Sequence, residues 1–389
     1  MEDDELLDNM LRTLRGTLHA CAEPAGAEAL TASVISNFLN AYSPDLLLNE
    51  IGGHGVAAVY EGRWQGPTVL VRGELDALPV EETRSAGETA YANTEHRCGH
   101  DGHMAMVAGL APLLHRERPV RGRVVLLFQP AEETGEGALR VLADAQFPSI
   151  RPDYALALHN LPGFQRNAVV VRRGTFASAS VGMRARLRGQ AAHAAEPELA
   201  HSPAAALARL LQELPKLNDL DNAPYRLLTM THARMGRKSF GITPGRATLC
   251  ATLRSASTEG LERLCNEAEK IVRETAKAED LRVKLSWHER FPETRNDDDL
   301  VRVLEQACHD EGITVVDKDV PFRWSEDFGY FAQVCPTLYF GLGTGEDSPG
   351  LHQPDYAFPD QVMNVGVRTF RRVVRTLTHP VREVRESAR

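Results

Sequence analysis

The sequence predicts an α/β protein in which a discontinuous domain with a mostly parallel central sheet is interrupted by a smaller, ferredoxin-like α+β domain. Three observations predict it. The first third of the chain alternates helical periodicity with strand runs that are apolar on both faces, the pattern of strands buried between helices. From about residue 178 the strands carry alternating side chains and the order becomes β-α-β-β-α-β, the split βαβ arrangement. After "FPETRNDDD" the first pattern returns. The expected boundaries are 1–177 and 289–389 for the larger domain and 178–288 for the insert.

Each element has its own warrant. Apolar residues at helical spacing fill 3–18 and 27–41. β-prone runs follow at "GVAAVYEG" (55–62) and "TVLVRGELDALP" (68–79), then a helix over 101–116. "RVVLLFQ" (123–129) and "YALALH" (154–159) read as buried strands around a helix near 135–145. In the insert, "VGMRARLRG" (181–189) alternates cleanly. A helix over 203–214, strands at 225–235 and 246–254, a helix over 259–279 and a strand at 281–287 complete it. The last section gives a helix at 298–311, a strand at 336–341 and a closing helix at 360–377.

Bulk properties exclude several classes. With 389 residues, 43% apolar and 25% charged, the chain has the composition of a globular protein and the length for two domains. A net charge of −9 with scattered arginines argues against nucleic acid as a partner. The start, "MEDDELLDNM", is acidic where a secretory signal is basic and then apolar, and no run approaches the roughly 18 apolar residues of a membrane span. A cytoplasmic protein without a membrane partner is expected. Six cysteines spread this widely read as reduced thiols.

Four places could carry chemistry. In "RCGHDGHMAM" (97–106), Cys98 and His100 alternate onto one side of an extended approach, and thiolate and imidazole are both metal donors. Taken alone, the stretch equally fits a helix start, with Asp101 as N-cap and an ordinary buried cysteine. In "LLFQPAEETGEG" (126–137), Glu132 and Glu133 follow a buried strand, where open α/β sheets place ligands. Adjacent side chains diverge, so the pair suits two jobs, one carboxylate on a metal and the other moving a proton; by themselves they fit solvated acids at a helix start better. His159 ends an apolar strand, and His352 lies in the loop "GLHQPDY" (350–356). Either histidine alone reads as a hydrogen-bonded structural residue, but together the four signals form a set of donors and carboxylates at strand ends of one domain.

These residues resemble the M20 metallopeptidase family, and within it the amidohydrolases that act on N-acyl amino acids, hippurate and auxin conjugates. The likeness runs nearly the whole chain through "LHACAEPAGAEALT" (18–31), "RGELDALPVEE" (72–82), "HRCGHDGHMA" (96–105), "FQPAEETGEGA" (128–138), "ALHN" (157–160), "GQAAHAAEPE" (189–198), "SEDFGYF" (325–331) and "LHQPDYAF" (351–358), in the family's order. The resemblance implies two divalent ions per subunit (zinc, manganese, cobalt or nickel) held by Cys98, His100, Glu133, His159 and His352, with Cys98 bridging. It implies that Glu132 is the general base and then the acid for the leaving amine. Asp76 would orient a ligand. The insert would be a lid and dimerisation domain whose His193 reaches the oxyanion of a partner subunit, so a homodimer is implied.

The implied reaction is hydrolysis of the amide bond of an N-acyl amino acid or similar small molecule. A dipeptidase or N-carbamoyl-amino-acid hydrolase would use the same residues, and a non-catalytic binding protein could keep the fold; the intact set of ligands and base argues against the last. One segment departs from the family pattern. Where the lid usually reads Asn-Val-Ile-Pro, with the asparagine on substrate, this chain reads "FGITPGRA" (240–247), with Gly241 at the asparagine position. Arg254 is a candidate clamp for a substrate carboxylate, because a guanidinium fork matches that group. Ser325 reads as a cap, with Glu326 and Asp327 complementing a helix dipole; the resemblance implies that this segment lies beside the metal site.

Overall fold

The computed structural model describes residues 2–80 and 94–379; Glu81 and Glu82, the end of the "RGELDALPVEE" segment, lie outside the described residues. The chain divides into two compact units. The larger comprises the described residues of 1–176, 295–320 and 327–389, the smaller 177–294 with 321–326.

The larger unit is built on a sheet that has, among the described residues, eight strands. Their order is Leu46–Ile51, Gly55–Glu61, Arg121–Gln129, Trp64–Glu74, Tyr154–Pro162, Thr337–Gly345, Val169–Val171 and Val315–Asp317. The four central strands, from Arg121–Gln129 to Thr337–Gly345, run parallel, and antiparallel pairs begin on either side of them. Val124 to Phe128 are all buried, as expected of a strand covered on both faces. Leu11, Leu14 and Leu18 from the helix Glu2–Ala20 join Met363, Val367, Phe370 and Val373 from the helix Met363–Thr378 in the same apolar cluster as the strand residues.

The chain leaves the Trp64–Glu74 strand for a neighbour on one side, then crosses to Tyr154–Pro162 on the other. Strand order reverses there, and open α/β sheets bind ligands beyond the carboxyl ends at such a point. Asp76, Glu132 and Glu133 follow those carboxyl ends.

Several elements differ from the sequence expectation. The strand expected over 68–79 ends at Glu74, which frees Asp76 to turn. The helix expected over 101–116 is two, His100–Ala108 and Leu110–Arg116. At the break, a β-carbon on Gly109 would lie 2.7 Å from Leu11 Cδ2, so the N-terminal helix crosses where glycine leaves room. The strands Leu46–Ile51, Val169–Val171 and Val315–Asp317 carry no clear period; two of them are only three residues long.

In the smaller unit the strands Ala179–Arg188, Arg226–Met235, Arg246–Ser255 and Arg282–Phe291 pair antiparallel in the order second, third, first, fourth. The helices Ala204–Glu213 and Thr258–Ala278 bury their apolar sides against Val181, Met183, Ala185, Leu187 and Leu249 of one sheet face, a ferredoxin-like arrangement. Ser257 starts the longer helix, its Oγ accepting the Gly260 N–H at 3.0 Å. Among the described residues no helix is long and apolar enough to cross a membrane, and all six cysteines are free thiols.

Candidate metal centre

Asp76 organises the site with two different atoms. Its backbone carbonyl accepts from His100 Nδ1 at 2.8 Å, and its Oδ2 accepts the Glu133 N–H at 2.9 Å. A carbonyl can only accept, so Nδ1 carries a proton in either charge state of His100, and Nε2 is the ring atom left to ligate. His159 repeats the device, with Nδ1 2.8 Å from the Asn160 carbonyl and Nε2 3.4 Å from Cys98 Sγ. His352 Nε2 stands at 3.4 Å from the same sulfur, and its backbone N–H donates to the Arg97 carbonyl at 3.0 Å.

The Cys98–His100 geometry corrects the extended approach read from the sequence. Gly99 adopts φ 89°, a left-handed turn immediately before the helix His100–Ala108, and this turn lets the side chains on either side of it reach one site. A β-carbon on Gly99 would meet Asn160 Oδ1 at 2.6 Å. Asp101 is not the N-cap, since Gly99 holds that position. The Asp101 carboxylate instead accepts from Arg15 Nη1 and His19 Nδ1, each at 2.9 Å, tying two helices together.

Donor atoms of Cys98, His100 and His159 lie within 4.8 Å of one another, as do those of Cys98, Glu133 and His352. The two triads share Cys98. Among the described residues, His100 Nε2, Glu133 Oε1 and Asp76 Oδ1 are buried without a hydrogen-bond partner. Unpaired buried polar atoms are costly, and lone pairs of nitrogen, oxygen and sulfur converging here fit a borderline-soft divalent cation. Burial, followed by the Glu133 charge, pushes the Cys98 thiol well above its ordinary pKa, and burial raises Glu133 too. A bound cation reverses both preferences. Burial holds His159 well below its ordinary value, as the neutral imidazole that can ligate. Ala131 (φ 53°) and His352 (φ 65°) hold left-handed backbone that non-glycine residues rarely adopt, and both adjoin the site.

A buried network lies around these groups. Arg72, fully buried, pairs with Glu74 and, at 2.7 Å, with Asp327. Glu74 Oε2 is 2.9 Å from His103 Nδ1, and His103 Nε2 is 2.5 Å from Asn160 Oδ1. Asp327 also accepts from Gln129 Nε2 and from the Ala138 N–H, and its own N–H lies 3.4 Å from Glu132 Oε1. Asp327 is therefore a buried anchor near Glu132, where the sequence reads an acid complementing a helix dipole. Glu74 and His103 escaped the sequence reading; the signal available was spacing, two positions before Asp76 on a strand and three after His100 on a helix.

In the smaller unit, Gly241 and His193 lie on adjacent segments, joined by Ala194 N–H to the Gly241 carbonyl at 3.0 Å and by a bridge from His193 to Ile242. His193 is exposed and its Nδ1 accepts the Ala195 N–H at 3.1 Å. Among the described residues other than its chain neighbours, none lies within 4 Å of a β-carbon built on Gly241. Arg254 Nη1 donates to the Arg323 carbonyl and to Ser325 Oγ, at 3.0 and 3.1 Å.

Residues 70–376, well over half of the chain, match the description of peptidase family M20/M25/M40. The chain belongs to the M20 peptidases. It is 28% identical to the N-acetyl-L-cysteine deacetylase of Bacillus subtilis (strain 168) over 349 residues, 89% of this chain and 83% of that one. It is also 28% identical, over 318 residues, to the IAA-amino acid hydrolase ILR1-like 2 of Arabidopsis thaliana, covering 79% of this chain and 72% of that one. Its fold is that of the Bacillus subtilis YXEP protein, described as a dinuclear metal binding peptidase from the M20 family. That likeness has a TM-score of 0.80 at 23% identity and covers 96% of this chain and 99% of the other. As an M20 protein it is a metal-binding hydrolase of amide bonds.

Proposed function

We propose that this M20 protein hydrolyses the amide bond of a small N-acyl amino acid, with Cys98, His100, Glu133, His159 and His352 holding two divalent ions. The observation that carries the reading is the pair of donor triads sharing Cys98. Two ions bound there would polarise the scissile carbonyl and acidify water. Glu132 takes the proton of the attacking water at a carboxylate oxygen and returns it to the leaving nitrogen. Asp327, through its N–H, positions Glu132, and Asp76 fixes His100 and Glu133. The substrate class follows the relatives, one named for deacetylation of N-acetyl-L-cysteine and one for hydrolysis of IAA-amino acid conjugates. The smaller unit serves as lid and dimerisation surface, with His193 acting on the partner's substrate; the exposure of Phe240 (94%) and Ile242 (60%) beside Gly241 supports this.

The test is metal-free protein reconstituted with zinc, manganese, cobalt or nickel in turn and assayed on a panel of N-acyl amino acids. Glu132→Gln is expected to keep its metal and lose about 10²- to 10⁴-fold in turnover, whereas Cys98→Ala is expected to lose metal. Turnover unchanged in Glu132→Gln rejects the base assignment, and full metal content in Cys98→Ala rejects the shared ligand.

A further inference from the structure

The sheet of the smaller unit buries one face beneath its helices, and the other face is cationic. Register sets Arg188 directly between Arg246 on one neighbouring strand and Arg282 on the other. Two residues along, Arg186 lies between Thr248 and Lys284, and Thr248 pairs onward with Arg234. Side chains directly opposite in antiparallel strands have β-carbons about 4.5–5.5 Å apart, where like charges repel. Among the described residues none of these cations has a hydrogen bond or ion pair through its side chain. The concentration is local, because the chain as a whole carries −9.

The rows end at a cleft. Arg188, Arg234, Arg237 and Arg246 line a cavity of about 700 Å³ together with the Ser239 and Thr248 hydroxyls, a volume within the range of about 300–1,000 Å³ typical of small-molecule sites. Two backbone hydrogen bonds join the segments that line it, Gly189 N–H to the Gly245 carbonyl and Gly236 N–H to the Arg246 carbonyl, both at 2.9 Å. Four arginines therefore share one concavity, whereas a nucleic-acid surface spreads its cations along a stripe.

We propose that this cleft binds a small polyanion bearing two or more carboxylate or phosphate groups. Guanidinium forks take either group with paired hydrogen bonds, and the bound charge removes the repulsion that the opposed arginines otherwise meet. The cleft uses neither the proposed metal ligands nor Glu132 nor His193, but it adjoins the lid segment that carries His193 and shares Ile242 with it.

The experiment titrates the full-length, metal-loaded protein calorimetrically with benzene-1,3,5-tricarboxylate and separately with trimetaphosphate, both weak chelators, at fixed ionic strength. Saturable binding at one site per chain is expected, weakening as salt is raised. Binding of the tricarboxylate alone identifies a polycarboxylate ligand, binding of trimetaphosphate alone a phosphate ligand, and binding of both a site selective for charge. The pair Arg188→Gln/Arg246→Gln should weaken binding at least about tenfold and leave thermal stability without anion unchanged or higher, because it removes like charges from facing positions. Arg234→Gln/Arg237→Gln should weaken binding as well, independently of the strand pair. No saturable heat with either anion overturns the proposal. So does undiminished affinity in both variants, or binding confined to an oligonucleotide or an anionic vesicle.

Discussion

Asp76 touches two of the proposed ligands without being proposed as one itself. Its carbonyl sets the tautomer of His100, and its side chain pins the backbone of Glu133, so its loss loosens two donors at once. Asp76→Ala should therefore bind metal about 10- to 100-fold more weakly, read by competition with a chromogenic chelator; unchanged affinity in a folded variant removes Asp76 from this role. Of the proposed ligands, Glu133 and His159 were legible because they follow or end apolar strands, Cys98 and His100 because two metal donors stand two positions apart, and His352 through the family-like loop that holds it. Arg72, Glu74, His103 and Asp327 were not. Arg72 and Asp327 are 255 positions apart, and nothing local to either announces the other. Only the fold supplies the partner that makes a buried charge tolerable.

Among elements, the contact between the helices Glu2–Ala20 and His100–Ala108 can be examined by pH. Asp101 accepts from His19, and this hydrogen bond is the main reason that the His19 pKa is raised above its ordinary 6.5. The protonated form is favoured in the folded state. Its contribution is thus complete below pH 6.5 and is lost as the pH rises through the raised value. The side chain is 49% exposed, so the contribution is at most about 1 kcal/mol. Wild type should melt above His19→Gln at about pH 6, with the difference shrinking by about pH 9; a constant difference rules out the titrating pair. At this scale the helices with a strong apolar stripe were legible, among them Asp298–Glu311, expected near 298–311. The short strands were not, because three residues cannot establish a period. The room that Gly109 leaves at the helix break is taken by Leu11, which belongs to a different part of the chain.

At the scale of the molecule, the change of pattern near residue 178 announced the smaller fold, and its strand order follows from the β-α-β-β-α-β sequence. The trans role proposed for His193 predicts complementation. Glu132→Gln and His193→Ala proteins, each inactive alone, should recover about a quarter of wild-type turnover after subunit exchange, because a mixed dimer has one site with both groups intact. No recovery after exchange shown by mass rejects the trans arrangement. The face of the small sheet was not legible as a site, because arginines on separate strands gain meaning only when register sets them side by side.

Gly99 carries a consequence for how such a site can change over time. A thiolate, carboxylate or imidazole can replace another on either side of it and still offer a lone pair to a cation. The position between them has no such latitude, because every other coded amino acid carries the β-carbon that Asn160 excludes. A lineage could exchange the metal it prefers by drifting at the flanking positions, but the pivot that aims them is open to no single-codon alternative.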